Sequence, residues 1–460
     1  MKIASVSLLA AAALSLSASP AGAATPTDWS TPTVLGHLQS NTISGASAVA
    51  TSPSGASIAV WSALQGRSYR YLAATRAPGK AWSAPHVLAK NVHNGRFFAD
   101  ISSTGRATAI WTLGIGTGTV HYAVHSGSKW TANRVVPGSS GFDATSFASA
   151  PNGYGVLAGS KYVKVNPARP KLSVAYIRKL TPAGKWGPAR RVSSNALPTY
   201  QGKTHAGTGA ADVKAAIDGK GSVIAAWGWT YFQDRSGSDT RLQRTSVGAG
   251  GKVGKVVNLV PAPQYRLGVE SVQMAPSGAA AIIWKDDEGK TAYVLTKTAT
   301  GPWASTSRDI SSLGIADDET FLVSDAGLAE YWVKTAAASD STSLSLYTAS
   351  YGPTGWTDPA LVDTDTVAGS DQTSSNGLLA ASGAAGTFLL WGTQDITKFL
   401  AHQPSDTALL TVYAPGATTT KQFSIGNTGE ALTASGSHAT ALVGRDVAGA
   451  AGADLVAVTR

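Results

Sequence analysis

The feature that most constrains this chain is a tryptophan that keeps returning at the end of the same kind of short apolar run. Trp61, Trp111, Trp227, Trp284, Trp332 and Trp391 hold that position. Successive spacings are 50 residues (61 to 111), 57 (227 to 284), 48 (284 to 332) and 59 (332 to 391). The 116 residues from 111 to 227 leave room for one more copy, which is Phe147–Ser193, with Pro151-Asn152-Gly153 at its turn and Gly159 near the tryptophan position. Small-residue turns precede the tryptophans: Ser54-Gly55, Thr104-Gly105, Lys220-Gly221, Ser277-Gly278, Ala326-Gly327 and, more loosely, Ala385-Gly386.

The copy at Ala48–Ala89 shows what the unit is. Ala48–Ser52, Ser57–Ser62, Tyr69–Ala77 and Pro85–Ala89 carry apolar residues at period two, bounded by Gly, Pro and Ser turns. That pattern predicts four antiparallel strands joined as a meander. One such sheet cannot bury both faces alone, so it needs neighbours.

The chain ends extend the pattern. Ala431–Thr459 supplies only three strands, Ala431–Ala434, Ala439–Val443 and Asp454–Thr459. Asp28-Trp29-Ser30-Thr31-Pro32-Thr33-Val34-Leu35 matches the fourth strand Ala81-Trp82-Ser83-Ala84-Pro85-His86-Val87-Leu88. The N-terminal strand is therefore expected to complete the last sheet and close a ring, which removes the unpaired edge of a linear array. The predicted fold is all-β, a single β-propeller of about eight four-stranded blades. Seven remains open, because Gly377–Ala414 and the tail are degenerate enough to form one irregular blade.

A second turn recurs before the fourth strand, at Gly79-Lys80-Ala81-Trp82, Gly127-Ser128-Lys129-Trp130, Gly184-Lys185-Trp186, Gly301-Pro302-Trp303 and Gly355-Trp356. Glycine supplies the positive φ of a tight hairpin, and the tryptophan folds back to staple neighbouring sheets. Thr75-Arg76-Ala77-Pro78-Gly79-Lys80-Ala81-Trp82 resembles the S/T-x-D-x-G-x-x-W box of the sialidase-like (BNR, or Asp-box) propellers, with Ala77 in place of the acid. The resemblance implies a propeller, and it implies that the box is a structural turn away from any active site. A sialidase of that family would add an arginine triad, an Asp acid and a Tyr/Glu pair. No Arg-Ile-Pro-type motif stands near the start of this chain, so none of those roles is carried over.

Other features bound location and chemistry. Lys2, the apolar run Ile3–Leu16 and Ala21-Gly22-Ala23 read as a signal peptide over 1–23, leaving an exported propeller domain over 24–460. There is no cysteine, so an exported form relies on packing rather than disulfides. No later segment has about twenty unbroken apolar residues, so no membrane insertion is expected. The net charge of +10 is scattered, as at Arg67, Arg70 and Arg76, Arg190 and Arg191, and Arg241 and Arg244. It suits a solvated basic surface or attraction to anionic polymers. No nucleic-acid-binding motif is present.

Several chemistries lack their signal. There is no G-x-S-x-G elbow and no H-E-x-x-H. Gly114–Gly118 is a hairpin tip with no helix after it, so it is no phosphate cradle. No cofactor is expected, although Asp363-Thr364-Asp365 with Gly369 and Asp371 faintly suggests a calcium loop without its closing Glu. His121 and His125 share one strand face and read as structural.

The candidate ligand face is the one carrying the loops between second and third strands and between units, and its long loops lie in the middle of the chain. Gly159–Ser173 carries Tyr162 and Arg169. The candidate ligand-binding residues are Tyr200, His205, Trp229, Tyr231, Asp234, Arg235, Tyr265, Arg266 and Asp287. Aromatic faces stack on sugar rings, and Arg and carboxylates fix hydroxyl or acidic groups. The opposing reading is that Trp229 and Tyr231 pack a long loop onto the rim. Asp286-Asp287-Glu288 and Asp317-Asp318-Glu319 invite comparison with the carboxyl pair of a glycosidase, against the plainer reading of solvated turn charge.

The leading expectation is a non-catalytic, monomeric, secreted module that recognises a glycan or a cell-surface or protein ligand. A carbohydrate-active hydrolase or lyase is the alternative, and a scaffold subunit of a secreted assembly is the third reading.

Overall fold

The computed structural model describes residues 29–460 except 39–46, 66–67, 94, 115–117, 165–170, 195–198, 201–202, 205–208, 234–237, 261–263, 266, 286–291, 305–307, 310–317, 326, 338–340, 353–354, 369–372, 376–377, 384–385, 396–405, 414–418, 424–428 and 447–452. The proposed signal segment lies outside the described residues. Those residues are all-β, and none forms a helix that is long and apolar enough to cross a membrane.

The expected meander is present. Ser47–Thr51, Ser57–Gln65, Ser68–Arg76 and His86–Val92 pair in sequence order, all antiparallel. Counterparts follow around Trp111 (Phe97–Ile101 onward), Phe147 (Phe142–Ser149 onward), Trp227 (Gly209–Ile217 onward), Trp284 (Gly268–Met274 onward) and Trp332 (Asp318–Ser324 onward). A single parallel pairing, Ser173 with Gly209, joins the Phe147 and Trp227 units edge to edge. The degenerate C-terminal stretch forms two separate sheets. One contains Leu379–Gly383, Gly386–Asp395, Asp406–Tyr413 and Thr419–Phe423. The other contains Gly429–Ser435, His438–Asp446 and Ala453–Thr459.

The N-terminal strand completes that last sheet. Thr33–Leu38 pairs antiparallel with Ala453–Thr459, and Ser30 N–H donates to the Thr459 carbonyl at 2.7 Å. The strand starts later than the sequence pattern suggests, because Pro32 has no N–H to give the ladder.

Both faces of a unit are buried. In the Trp61 unit, Ala59 and Trp61 pack with Leu442 and Leu455 of the closing sheet, while Ile58 and Val60 pack with Phe97 and Ala109 of the next unit. Similar clusters link each unit to its successor, ending with Phe388 and Leu390 against Ala441 and Val458. Buried hydroxyls reinforce the joint between last and first sheets, with Thr440 Oγ1 at 2.8 Å from Thr51 Oγ1 and 2.9 Å from Ser57 Oγ.

The six repeating tryptophans are the largest fully buried side chains. Four of them meet the residue directly opposite on the third strand. Trp111 stacks on His121, Trp284 on Tyr293 and Trp332 on Tyr347, with centroids 5.7–5.9 Å apart. Trp227 instead donates from Nε1 to Gln243 Oε1 at 3.1 Å, and Trp391 donates to Thr411 Oγ1 at 3.0 Å. The tryptophans of the second turn staple units as expected. Trp130 stacks on His86, Trp186 meets Tyr122 edge-on, and Arg244 lies 4.5 Å over Trp303. His121 and His125 accordingly belong to packing: His121 bonds Asn133 at 2.9 Å and His125 lies against Trp130.

Trp29 plays the stapling role for the closing strand, 5% exposed and edge-on to Phe388 at 6.0 Å. Trp29→Ala is expected to cost about 3–5 kcal/mol. Val34→Thr on the same strand, at a side chain 47% exposed, is expected to change stability by less than about 0.5 kcal/mol. Urea denaturation of both variants is the check, and equal midpoints would contradict the closing role.

Candidate functional site

In each antiparallel unit, the start of the first strand and the end of the second lie at one edge of the sheet. Beside the Phe147 unit this edge opens into a polar cleft of about 210 Å³, lined by Arg96, Asp143, Tyr162, Ser173, Asp212 and Thr230 among others. Three successive units contribute to it.

Local backbone irregularity puts the charges there. First strands carry bulges near their starts, between Ala144 and Ser146 and between Ala211 and Lys214. A bulge kinks a strand and re-aims its side chains. Asp212 sits in the second bulge at φ 48°, the one non-glycine residue with positive φ among the described residues. An aspartate tolerates that conformation better than most residues, yet it remains a strained position of the kind that clusters at ligand sites.

The tryptophan that fills other units is absent here. Gly159 faces Tyr176, and a Cβ on Gly159 would lie 2.0 Å from the Asp143 carbonyl oxygen. The first strand therefore approaches too closely for any side chain at that position, while the cleft is lined from the other face of the strand that carries Gly159, by Ser160 and Tyr162.

Arg96 organises the charge. Its Nη1 donates to Asp143 Oδ1 and to the Ala144 carbonyl, both at 2.7 Å. Asp143 is thereby held as an ion pair, with both side chains about a third exposed (37% and 27%). Asp212 is exposed, and Tyr162 is 48% exposed. The cleft thus offers a cation, a paired carboxylate, an open carboxylate, a phenol and several hydroxyls. Such a set can bind sugar hydroxyls or an acidic group.

Of the residues expected from the sequence, Tyr162 lines this cleft. Trp229 does not sit on the rim. It is 4% exposed, within the apolar cluster between the Phe147 and Trp227 units. The reason is that the second strand runs on through Val223–Gln233, drawn out by the β-forming Trp-Thr-Tyr-Phe sequence, so Trp229 is a strand residue with an inward face. Tyr231 lies on the same strand, Tyr200 in Thr199–Tyr200 and Tyr265 in Gln264–Tyr265. His205, Asp234, Arg235, Arg266 and Asp287 lie outside the described residues, as do Arg169, Gly369 and Asp371. Asp363 and Asp365 lie along the strand Ala360–Ala368 rather than in a loop. Among the described residues, no group of three or more His, Asp or Glu is placed to hold a metal.

The sequence reading missed Arg96, Asp143 and Asp212. The available signal was an acidic residue near the start of each of two first strands.

A second charged cluster lies between the Trp284 and Trp332 units. Glu319, which the sequence reading left as solvated turn charge, is instead paired with Lys285 Nζ at 2.8 Å. Beneath them Glu330 is 3% exposed and its Oε2 has no hydrogen-bond partner. Burial, and secondarily the Glu319 charge, push the Glu330 carboxyl up to about 8, with Lys285 pulling the other way. Burial would lower the Lys285 pKa, but the bond and charge of Glu319, with Glu270 and Glu330, raise it overall. In the Trp111 unit, burial likewise raises Asp100 to about 7, although Ser149 and Arg106 draw it back.

No family model matches the chain, and no curated protein matches it. Among solved structures it is similar to an ulvan lyase, a polysaccharide lyase, with TM-score 0.44 and 12% identity over 84% of this chain and 96% of that one. It is also similar to an α-L-arabinanase of Penicillium chrysogenum complexed with arabinobiose (TM-score 0.36, 11% identity, 69% of this chain and 94% of that one). A third is an α-L-arabinofuranosidase of Fusarium graminearum (TM-score 0.34, 9% identity, 73% and 98%). None of the three is a sialidase, and the Asp-box resemblance rests on the turns alone.

The raised Glu330 pKa has a definite sign. A carboxyl neutral in the folded state and ionised in the unfolded one costs stability as pH rises above its ordinary value near 4.5, and the cost is complete above about 8. Glu330→Gln is therefore expected to change stability little at pH 4.5 and to raise it by roughly 1–3 kcal/mol at pH 9. Denaturant titrations at the two pH values test this, and a parallel shift at both would contradict the buried neutral acid.

Proposed function

We propose that the chain closes into one exported, eight-bladed β-propeller whose Arg96–Asp143–Asp212 cleft binds a polysaccharide and cleaves it, as a hydrolase or a lyase. The observation that carries this reading is the arrival of two aspartates, from the first strands of adjacent units, in one cleft with an arginine and an exposed tyrosine. The circuit of packed sheets supports the propeller, and the pairing of Thr33–Leu38 with Ala453–Thr459 supports its closure.

Both chemistries have their groups here. Hydrolysis needs two carboxyls on either side of a glycosidic bond, one ionised and one able to give a proton. Asp143 is paired with Arg96 whereas Asp212 is exposed, so the two carboxyls stand in different surroundings. Elimination needs a cation to neutralise a uronate carboxylate and a base to take the adjacent proton; Arg96 and Tyr162 are suited to those roles. The net charge of +10 favours an anionic polymer as substrate.

A second reading, binding without cleavage, is favoured by one observation: the Arg96 bond already occupies Asp143, leaving a single open carboxylate. A polysaccharide panel assayed for new reducing ends and for unsaturated uronate ends separates the two readings. Cleavage that falls by about 10²–10⁴-fold in Asp212→Asn or Asp143→Asn, with binding retained, is the expected result. Binding lost in Asp212→Asn with no cleavage by the parent protein would select the second reading. Neither binding nor cleavage would remove both.

A further inference from the structure

The opposite edge of the sheets, where the turns between first and second strands and between third and fourth strands meet, has clefts of its own. One of about 520 Å³ lies between the Trp61 and Trp111 units. One wall is the Thr75–Ser83 turn, and the facing wall is made by Thr104-Gly105, His125 and Gly127-Ser128. Its ionisable lining residues are Arg76, Lys80 and His125, and no carboxylate lines it. Ala77 stands where the resembled box would have its acid, so the turn itself supplies no neutralising charge.

The cations are not matched from within. Arg76 donates from Nε to the Lys80 carbonyl at 2.9 Å and from Nη1 to the Gly55 carbonyl at 3.5 Å, both neutral acceptors. Those bonds fix the guanidinium without cancelling its charge. Lys80 is exposed, and its Nζ has no bond or ion pair among the described residues. Burial lowers the pKa of Arg76 and also that of His125, where the neighbouring His86 adds to the effect.

The equivalent cleft between the Trp284 and Trp332 units, about 670 Å³, is a useful contrast. Its lysine, Lys297, likewise donates to neutral carbonyls, those of Gly278, Thr298 and Ala299, at 3.1–3.2 Å. It also contains Asp325, whose Oδ1 accepts from Ser277 N–H at 3.2 Å. The same architectural position is thus internally balanced in one place and cationic in the other.

We infer that the cleft between the Trp61 and Trp111 units is a second binding site, for an acidic oligosaccharide whose sulfate or carboxylate group is held by Arg76 and Lys80. The volume falls in the range of about 300–1,000 Å³ typical of organic ligands, more than a lone inorganic anion requires. Ser57, Thr75, Ser83 and Thr104 line the same cleft and offer hydroxyls to a sugar. Guanidinium and ammonium groups recognise either acid through charge-assisted hydrogen bonds. This site does not depend on the cleavage proposed for the Asp212 cleft on the other edge.

Calorimetric titration with three oligosaccharides of equal length tests the inference: one sulfated, one built of uronates and one neutral. Each is titrated into the full chain and into Lys80→Glu, Arg76→Gln/Lys80→Gln, Asp212→Asn and Asp212→Asn/Lys80→Glu variants. Binding of at least one acidic ligand is expected, weakened about tenfold or more in Lys80→Glu and further in the Arg76/Lys80 double variant, with the same Lys80-dependent component present in the Asp212→Asn background. It should also weaken steeply with salt. The sulfated and uronate arms identify which acid the cleft takes. Equal binding of the neutral ligand, no binding of either acid, or Lys80→Glu binding like the parent at an unchanged melting temperature would each overturn the inference. So would disappearance of the Lys80-dependent component in the Asp212→Asn background, which would assign it to the other cleft.

Discussion

Each sheet in this protein is apolar on both faces, and that forces it to have a neighbour on each side. Ala59 and Trp61 point one way along a single strand while Ile58 and Val60 point the other, and both sets are buried. A linear stack would leave its first and last sheets with such a face in water. Burying apolar area at about 25 cal/mol per Å² makes that exposure costly for a chain with no disulfide to hold it. The pairing of the N-terminal strand with the last three strands provides the missing sheet, and the packing of that sheet on the Trp61 unit supplies the missing contact.

Within that frame the polar cleft lies at the edge where three successive units meet. Six units fill their centres with tryptophan, so little space is left in them. The Phe147 unit has Gly159 instead, with the Asp143 backbone pressed against it, and the polar cleft beside that unit is lined from the other face of the Gly159 strand, by Ser160 and Tyr162. On the opposite edge the balance of charge varies from joint to joint. Lys297 and Asp325 are satisfied internally, whereas Arg76 and Lys80 face no carboxylate. Regular packing thus sets the frame, and departures from it mark the places suited to binding.

The repeat, its turns and the joining of the chain ends could be read from the sequence because tryptophan and glycine mark them and because strands alternate at period two. The strand limits were less legible. His86–Val92 and Thr33–Leu38 both begin after a proline that cannot donate to the ladder, which shifts them from the pattern-based limits. The site was less legible still. Trp229 looked like a loop aromatic because the following residues are polar and aromatic, but the hairpin extends through it. Nothing in residue type singles out Arg96, Asp143 and Asp212, since a bulge leaves no mark in the sequence. Glu319 looked solvent-bound because its partner, Lys285, comes from a different unit.

Closure is the central claim, and the absence of natural cysteine allows a direct measurement. His37 and Asp454 are cross-strand partners in the joint between the chain ends. A His37→Cys/Asp454→Cys variant is expected to form its disulfide quantitatively on mild oxidation of the folded protein. Because the bond would span nearly the whole chain, it is expected to stabilise by roughly 4–5 kcal/mol. A His37→Cys/Lys80→Cys control should remain reduced. Free thiols in the first variant, or equal crosslinking in both, would contradict a ring closed by the N-terminal strand.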